Sequence, residues 1–254
     1  MKVAALQLDY PMGESRLQRI QRVVALMRDA PSADLLVLPE LWDVGFSDYD
    51  SYQDAARPLG ESAVRTVAEV ARERKVHVVT GSVLELDGES MYNTVALVGP
   101  DGSILDSYRK IHLFGFDSRE RELLAPGNRT VVVPTAIGAI GLATCFDLRF
   151  PEQFLEMRQL GADIVVVPAA WPALRRDHWT LLTRARSVDA QTPLVGCNAV
   201  GPCYGVDLAG ESVVVDAVGK PLASAGSRPG WLTAEIVLES TREWRAEFSL
   251  DRPA

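Results

Sequence analysis

The feature of this chain that most constrains its fold is an alternation between short apolar runs and segments whose apolar residues recur at helical spacing. VAALQL at residues 3–8 and DLLVLPE at residues 34–40 have the length and composition of buried strands. Amphipathic helical patterns follow them, at residues 14–27 and at residues 61–74. Strands that alternate with helices in this way predict an α/β fold.

A pair of extended segments in the middle of the chain indicates that the sheet is mixed. MYNTVALV at residues 91–98 and SILDSYRK at residues 103–110 flank a turn of glycine, proline and aspartate, which predicts an antiparallel hairpin. Further segments continue the alternation. The strand-like ones are VHVVTGSV, TVVVP, AIGLATC, DIVVVP, PLVGCNAV, ESVVVDA and WLTAEIVL, and the helical ones are PEQFLEMRQLG and HWTLLTRARSVDAQ.

Length and charge limit the classes of protein to which the chain can belong. With 254 residues, 47% of them hydrophobic, we predict one domain over residues 1–254, ending in a polar C-terminal arm from about residue 240. The net charge of −8 argues against a nucleic-acid partner. No apolar run has the length of a membrane span or signal peptide, so we expect a cytoplasmic protein without a membrane partner.

Three strand-like segments end in residues that can carry chemistry. VLPE ends in Glu40, SYRK ends in Lys110 and GLATC ends in Cys145. Because ligands bind at the carboxyl ends of strands in open α/β sheets, a base, a cation and a thiol at such ends could converge. Cys145 also lies where a strand pattern passes into a helical one, and helix N-termini stabilise thiolates and oxyanions.

Each of these residues also has an ordinary structural explanation. A free cysteine is usually a buried apolar side chain, and Cys197, within PLVGCNAV, fits that description well. Cys203 carries no adjacent motif, and an odd number of cysteines implies at least one free thiol. Lys110 alone could be a solvated lysine, and Glu40 alone could be a carboxylate in a turn.

Other kinds of site find little support in the sequence. His77 lies within a strand pattern, His178 borders a helix, and His112 shares the loop that follows Lys110. No spacing of histidine and cysteine resembles a zinc site, and neither a Walker loop nor GxGxxG after a strand is present.

Several segments, taken in chain order, carry a resemblance to a known family. They are VAALQLD, DLLVLPEL, YRKIHLF, GLATCFDLRFPE, NAVG and AGESVVVDAVGKPL. Together they resemble the carbon–nitrogen hydrolases of the nitrilase superfamily. The resemblance implies a catalytic triad of Glu40, Lys110 and Cys145. It also implies a second catalytic glutamate in the loop after the lysine, seven residues before the glycine of a PG pair; this is Glu120, with Glu122 in the same run as the alternative.

The resemblance carries further expectations about fold, assembly and reaction. It implies a four-layer α-β-β-α sandwich with mixed sheets, a homodimer or larger homo-oligomer, and no metal or organic cofactor. FDLRFPE looks most like the small-amide branch, which includes the ω-amidases that act on amides of 2-oxo acids. N-carbamoyl amino acid hydrolysis is the alternative, followed by nitrile hydrolysis and by a catalytically silent scaffold on the same fold.

Phe146 and Arg149, which follow Cys145 in the sequence, are candidates for substrate binding. In the expected reaction, Glu40 takes the thiol proton, while Lys110 and the Phe146 N–H hold the oxyanion. Arg149 would grip a substrate carboxylate with two parallel hydrogen bonds. Its structural alternative is an ion pair with Asp147 or Glu152.

Overall fold

The computed structural model describes residues 1–250, and in this part of the chain strands and helices alternate as the sequence predicts. The strands are β1 (Lys2–Gln7), β2 (Leu35–Val37), β3 (His77–Asp87), β4 (Ser90–Val98), β5 (Ile104–Arg109), β6 (Val131–Val133), β7 (Ile140–Leu142), β8 (Ile164–Ala169), β9 (Leu194–Asn198), β10 (Val200–Cys203), β11 (Val206–Ala209), β12 (Val213–Val215), β13 (Pro221–Ser224) and β14 (Gly230–Glu235). The α-helices are α1 (Arg16–Arg28), α2 (Tyr52–Ala55), α3 (Ala63–Arg74), α4 (Glu120–Leu123), α5 (Pro151–Gln159), α6 (Arg176–Ala190) and α7 (Leu238–Glu247).

The strands form two six-stranded sheets and a separate β10–β11 hairpin. The first sheet has the order β14-β1-β2-β3-β4-β5, and the second has the order β13-β12-β9-β8-β7-β6. In each sheet three central strands are parallel, β1 to β3 in one and β7 to β9 in the other, and the flanking pairs are antiparallel. The prediction of mixed sheets is therefore confirmed.

Successive side chains of the central strands enter different cores. In β1, Val3 and Ala5 belong to the core between the two sheets, whereas Ala4 and Leu6 pack on the helical side. This follows from the two-residue period of a strand. Since both faces are buried, the sequence reads as a continuous apolar run without polar alternation.

Helices cover the outer face of each sheet and complete four layers. Side chains of α1 and α3 pack against the first sheet, and side chains of α5 and α6 pack against the second. Ser15 starts α1 with a capping box, in which its side chain and that of Gln18 bond each other's backbone N–H groups. The resulting α-β-β-α sandwich is the fold expected from the family resemblance. None of the helices within residues 1–250 has the length and apolar character needed to cross a membrane.

The segment for which the sequence predicts a polar arm, from about residue 240, is described as far as residue 250. This segment includes α7, which is attached to the body of the protein. Arg245 donates hydrogen bonds to the Gln191 and Ala162 carbonyl oxygens, at 2.8 and 2.9 Å, and Thr241 is buried. Polar composition suggested an arm because these anchors are themselves polar. Residues 251–254 of the predicted arm lie outside the described part of the chain.

Candidate active site

The structure brings Glu40, Lys110 and Cys145 together where the two sheets face each other. Glu40 follows β2, Lys110 follows β5 and Cys145 follows β7, so all three lie just beyond the carboxyl ends of strands. The Glu40 N–H donates to the Ala169 carbonyl at 3.4 Å, and the Ala170 N–H donates to Glu40 Oε2 at 2.9 Å. These bonds fix the end of β2 against the end of β8.

Lys110 lies between two carboxylates in a fully buried cluster. Its Nζ atom is 2.8 Å from Glu40 Oε1 and 2.9 and 3.0 Å from the two carboxylate oxygens of Glu120. All three side chains are 0% exposed. Glu122, the alternative second glutamate, is exposed and lies near Arg119 at 3.6 Å. Geometry therefore places Glu120 against the lysine and Glu122 on the surface.

The cluster contains an amide that sequence analysis missed. Asn93 Nδ2 donates to Glu40 Oε1 and to Glu120 Oε1, both at 2.9 Å, and so bridges the two carboxylates. Its main-chain oxygen accepts from the Lys110 N–H at 2.9 Å across the β4–β5 pair. The signal available in the sequence was an asparagine inside the strand-like run MYNTVALV. The structure buries Asn93 completely, and buried amides require hydrogen-bond partners.

The Pro126–Gly127 pair used to locate Glu120 packs on the backbone around the lysine. The Gly127 N–H donates to the Lys110 carbonyl at 2.8 Å. A Cβ atom at Gly127 would lie 2.0 Å from the Arg109 carbonyl oxygen, so any other residue would push the end of β5 away. Glycine is required here by close backbone approach.

Cys145 occupies a strained elbow held by a network behind it. Its φ is +45°, in the left-handed region that non-glycine residues seldom adopt. Asp147 Oδ2 accepts from the Thr144 N–H at 2.8 Å and from the Tyr108 hydroxyl at 2.6 Å, while Oδ1 contacts His112 Nδ1 at 2.8 Å. A 3-10 turn, Cys145–Arg149, follows the elbow, and α5 begins only at Pro151. Cys145 therefore heads a 3-10 turn, where the sequence suggested the start of an α-helix.

The protonation states of the cluster follow from burial and charge. Burial raises the pKa of the Cys145 thiol well above its usual value; the Glu40 carboxylate raises it further and Lys110 partly opposes this. Burial lowers the pKa of Lys110, but the nearby Glu120, Glu40 and Cys145 groups raise it above its ordinary value overall. Burial also raises the pKa of Glu120, against the effect of Lys110. The resting sulfur is thus a thiol that needs a base, beside a lysine that keeps its proton.

The other two cysteines have different surroundings. Cys197 lies between the sheets, where its thiol donates to the Leu6 and Val37 carbonyl oxygens at 3.3 and 3.4 Å. Cys203 is buried in an apolar cluster, and burial raises its pKa to about 11. Neither thiol has the Glu40–Lys110 pair beside it.

A cavity with about 340 Å³ of empty space, its mouth included, opens over Cys145. It is lined by Phe46, Phe114, Cys145, Phe146, Arg149, Ala170, Trp171, Pro172 and Arg175. Arg149 and Phe146, both selected from the sequence, thus border the space next to the sulfur. Arg175, Phe46 and Trp171 were not foreseen, because they come from separate loops that carry no motif. Phe114 ends the segment YRKIHLF, but nothing in the sequence pointed to it as part of a cavity wall.

Arg149 has no carboxylate partner among residues 1–250. The expected alternative partners are not engaged, since Asp147 is bonded within the elbow and Glu152 forms no ion pair within residues 1–250. Arg149 Nη2 is instead 3.1 Å from His178 Nδ1, and the guanidinium lies over the Phe146 and Trp171 rings. In this part of the chain no group of three or more His, Cys, Asp or Glu side chains is placed to hold a metal ion.

Solved structures share this architecture, and curated relatives resemble the chain in sequence over most of its length. Saccharomyces cerevisiae Nit3, a member of branch 10 of the nitrilase superfamily, superposes with a TM-score of 0.89 at 30% identity, covering 99% of this chain and 95% of that one. The amidase from Nesterenkonia sp. AN1, solved as a cysteine-to-alanine variant with butyramide, gives 0.84 at 27% identity, covering 97% and 95%. The 2-oxoglutaramate amidase of Paenarthrobacter nicotinovorans is 38% identical over 98% of this chain and 87% of its own length.

A family model supports the same assignment across nearly the whole chain. The model described as carbon-nitrogen hydrolase matches residues 2–246. This range runs from the first strand to the last helix and includes every residue of the buried cluster and of the cavity wall. The chain is a member of the carbon–nitrogen hydrolase family.

Proposed function

We propose that this enzyme hydrolyses a small carboxylate-bearing amide to the acid and ammonia through a thioester on Cys145, as an ω-amidase does. The observation that carries the proposal is a neutral thiol beside a buried Glu40–Lys110 pair, at a cavity bordered by the uncompensated cation of Arg149. Relatives named 2-oxoglutaramate amidase and ω-amidase support the same class of substrate.

Acylation begins with the Cys145 sulfur attacking the amide carbonyl while Glu40 takes the thiol proton. Negative charge then develops on the carbonyl oxygen, and the Lys110 ammonium and the Phe146 N–H stabilise it. When the tetrahedral intermediate collapses, the C–N bond breaks and protonated Glu40 delivers its proton to the leaving nitrogen. Ammonia departs and the acyl group remains on sulfur.

Deacylation uses the same groups in the reverse order. Glu40 takes a proton from a water molecule, which attacks the thioester carbonyl, and Lys110 again stabilises the oxyanion. The C–S bond breaks, the proton returns to the sulfur, and the acid is released. One carboxylate serves both halves because it is unprotonated at the start of each.

Glu120 acts as a positioning residue in this scheme. Both of its oxygens accept from Lys110 Nζ, and Oε2 also accepts from the Phe114 N–H at 2.6 Å. Asn93 ties it to Glu40. These bonds hold the ammonium in one direction, which preorganises the charge that must meet the oxyanion.

An ammonia-release screen over small amides, N-carbamoyl amino acids and nitriles tests the proposed function. We expect release from carboxylate-bearing amides and loss of turnover in Cys145→Ala. Cys197→Ala and Cys203→Ala are the matched controls and should retain activity, since neither thiol borders the cavity. Mass spectrometry after a short substrate pulse should find the acyl group on the Cys145 peptide. Full activity in Cys145→Ala would end the hypothesis, and preferential turnover of carbamoyl amino acids would move the assignment to that branch.

We also propose that the protein works in the cytoplasm as a homodimer or larger homo-oligomer. Three free, buried thiols suit a reducing compartment. Exposed apolar side chains on and beside α5 and α6 supply a surface for self-association: Leu155, Leu160, Leu181 and Val188. Light scattering at micromolar concentration should give at least twice the mass of one chain, and a monomer would contradict the proposed assembly.

A further inference from the structure

The cavity over Cys145 contains more positive charge than one substrate-binding arginine explains. Its only charged lining residues are Arg149 and Arg175, and no acidic side chain of the described chain lines it. The rest of the wall is mostly aromatic. Arg175 also lines a second, wider cavity of about 800 Å³, whose wall does not include Cys145. Arg175 therefore stands at the boundary between the reaction cavity and the outer space.

The Arg175 guanidinium is held by aromatic faces instead of by an anion. Its Cζ atom lies 5.7 Å from the centre of the Phe114 ring and 5.1 Å from that of Phe116. Within residues 1–250 the guanidinium contacts these two rings and forms no ion pair or side-chain hydrogen bond. A cation over a ring face keeps its edge N–H donors available, because the attraction is to the quadrupole of the ring.

The backbone that carries Arg175 is fixed against the cavity wall. The Trp171 indole N–H donates to the Arg175 carbonyl oxygen at 2.7 Å, and the Arg175 N–H donates to the Pro172 carbonyl at 3.0 Å. Arg149, which precedes Trp171 in the sequence, stacks on the same indole ring. Trp171 thus contacts both residues, with its ring against the Arg149 guanidinium and its N–H on the Arg175 backbone. Groups that are already held in place lose less ordering entropy when a ligand binds them.

The two cations are close enough to disfavour each other. Burial lowers the pKa of Arg149, and the charge of Arg175 lowers it further. Two like charges without a counterion at a partly buried site are costly, and an anion placed between them removes that cost. A carboxylate in the cavity would therefore gain from both guanidiniums.

We propose that Arg175 is a second carboxylate-binding residue, which shares the acid group of the substrate with Arg149 and sets the preference of the enzyme for amides of dicarboxylic acids over neutral amides. This inference rests on the proposed function, since it names the part of the substrate that lies away from the scissile amide. Arg149 alone binds the carboxylate from one side, and Arg175 closes the other side at the mouth of the cavity.

Kinetics on a matched pair of amides tests this role. Succinamate and butyramide share a four-carbon chain and differ by a carboxylate in place of a methyl group. Arg175→Met keeps an unbranched side chain and removes the charge. We expect kcat/KM for succinamate to fall about ten-fold or more, mainly through KM, with a much smaller loss on butyramide. Arg176→Met is the control, because Arg176 is exposed, adjacent in sequence and absent from the cavity wall. It should leave the ratio of the two kcat/KM values unchanged.

Direct binding separates a failure of this inference from a failure of the proposed function. Calorimetric titration of succinamate into Cys145→Ala protein, with and without Arg175→Met, measures affinity without any turnover. A larger Kd for succinamate in the Cys145→Ala, Arg175→Met double variant than in Cys145→Ala, with an unchanged melting temperature, supports the inference. This holds even if the wild-type enzyme releases ammonia from neither amide. An unchanged Kd, or equal kinetic losses on succinamate and butyramide, overturns it while leaving amide hydrolysis intact.

Discussion

Charged side chains are paired in the interior cluster around Lys110, whereas the arginines at the cavity rim have no paired carboxylate among residues 1–250. In the cluster, Lys110 is surrounded by Glu40 and Glu120 at 2.8 to 3.0 Å, and all three side chains are 0% exposed. At the rim, Arg149 and Arg175 are half-buried, lie over aromatic rings and have no carboxylate partner among residues 1–250.

In the proposed function, this difference corresponds to a division between the residues that react and the residues that bind substrate. The cluster has already satisfied its charges, so a substrate carboxylate placed there would have to displace a paired group at the cost of several kcal/mol. At the rim, the guanidinium N–H groups of Arg149 and Arg175 can donate to a bound anion, which would also reduce the repulsion between the two charges. We therefore expect changes in the cluster to act mainly on kcat, and changes at the rim to act mainly on KM for charged substrates.

The largest expected effect within this comparison is that of Glu40→Gln. Glutamine keeps the shape but cannot accept a proton, so kcat should fall by about a thousand-fold, within the usual range for a lost general base. The same change should lower the pKa of Cys145, because the Glu40 charge raises it. Alkylation of Cys145 by iodoacetamide should then begin at lower pH than in the wild type, while amide turnover is lost.

Peptide mass spectrometry of the alkylated protein across a pH series, beside steady-state kinetics, checks both parts. Wild-type kcat in Glu40→Gln at every pH would show that another base is used. His112 would be the next candidate, since it contacts Asp147 behind Cys145.

A smaller effect is expected from Glu120→Gln, with Glu122→Gln as its matched control two residues away. Glu120 is the charge that raises the pKa of Lys110 most, so its removal should lower that pKa and move the alkaline limb of the pH–rate profile to lower pH. We expect kcat to fall by about ten- to a hundred-fold, because Glu40 still holds the ammonium. Glu122→Gln should change neither quantity, and an unshifted alkaline limb in Glu120→Gln would reduce Glu120 to a structural role.

The parts of the molecule that could be predicted from sequence are those with a local signal. The α/β class and the mixed sheets follow from the apolar runs and the hairpin pattern, whereas the four-layer sandwich is an expectation from the family resemblance. Glu40, Lys110 and Cys145 can be singled out because each ends a strand pattern. Asn93 was missed because it lies inside a strand, and its value depends on two carboxylates that meet only in three dimensions.

Features built from several distant loops left no comparable trace in the sequence. Arg175 ends a 3-10 turn, and its importance depends on aromatic residues more than fifty positions away. The position of α7 likewise depends on hydrogen bonds from Arg245 to the Gln191 carbonyl at the end of α6 and to the Ala162 carbonyl just before β8. Composition alone could not show these contacts. Periodicity identifies elements and strand ends, whereas the assembly of a cavity wall is a tertiary property.

The smallest expected effect, and the one that most sharpens the contrast between cluster and rim, is that of Arg149→Lys. Lysine keeps the charge but loses the two parallel N–H donors and the planar stacking on Phe146 and Trp171. KM for a carboxylate-bearing amide should rise by about ten-fold, equivalent to about 1.4 kcal/mol, with less change for a neutral amide. Because the substitution breaks no ion pair with another described residue, the melting temperature should hardly change. Steady-state kinetics on succinamate and butyramide, with differential scanning calorimetry of the same protein, measures all three quantities. Equal losses on both amides together with a lower melting temperature would mean that Arg149 supports the elbow, as Asp147 does. In that case the proposed carboxylate site at the rim would rest on Arg175 alone.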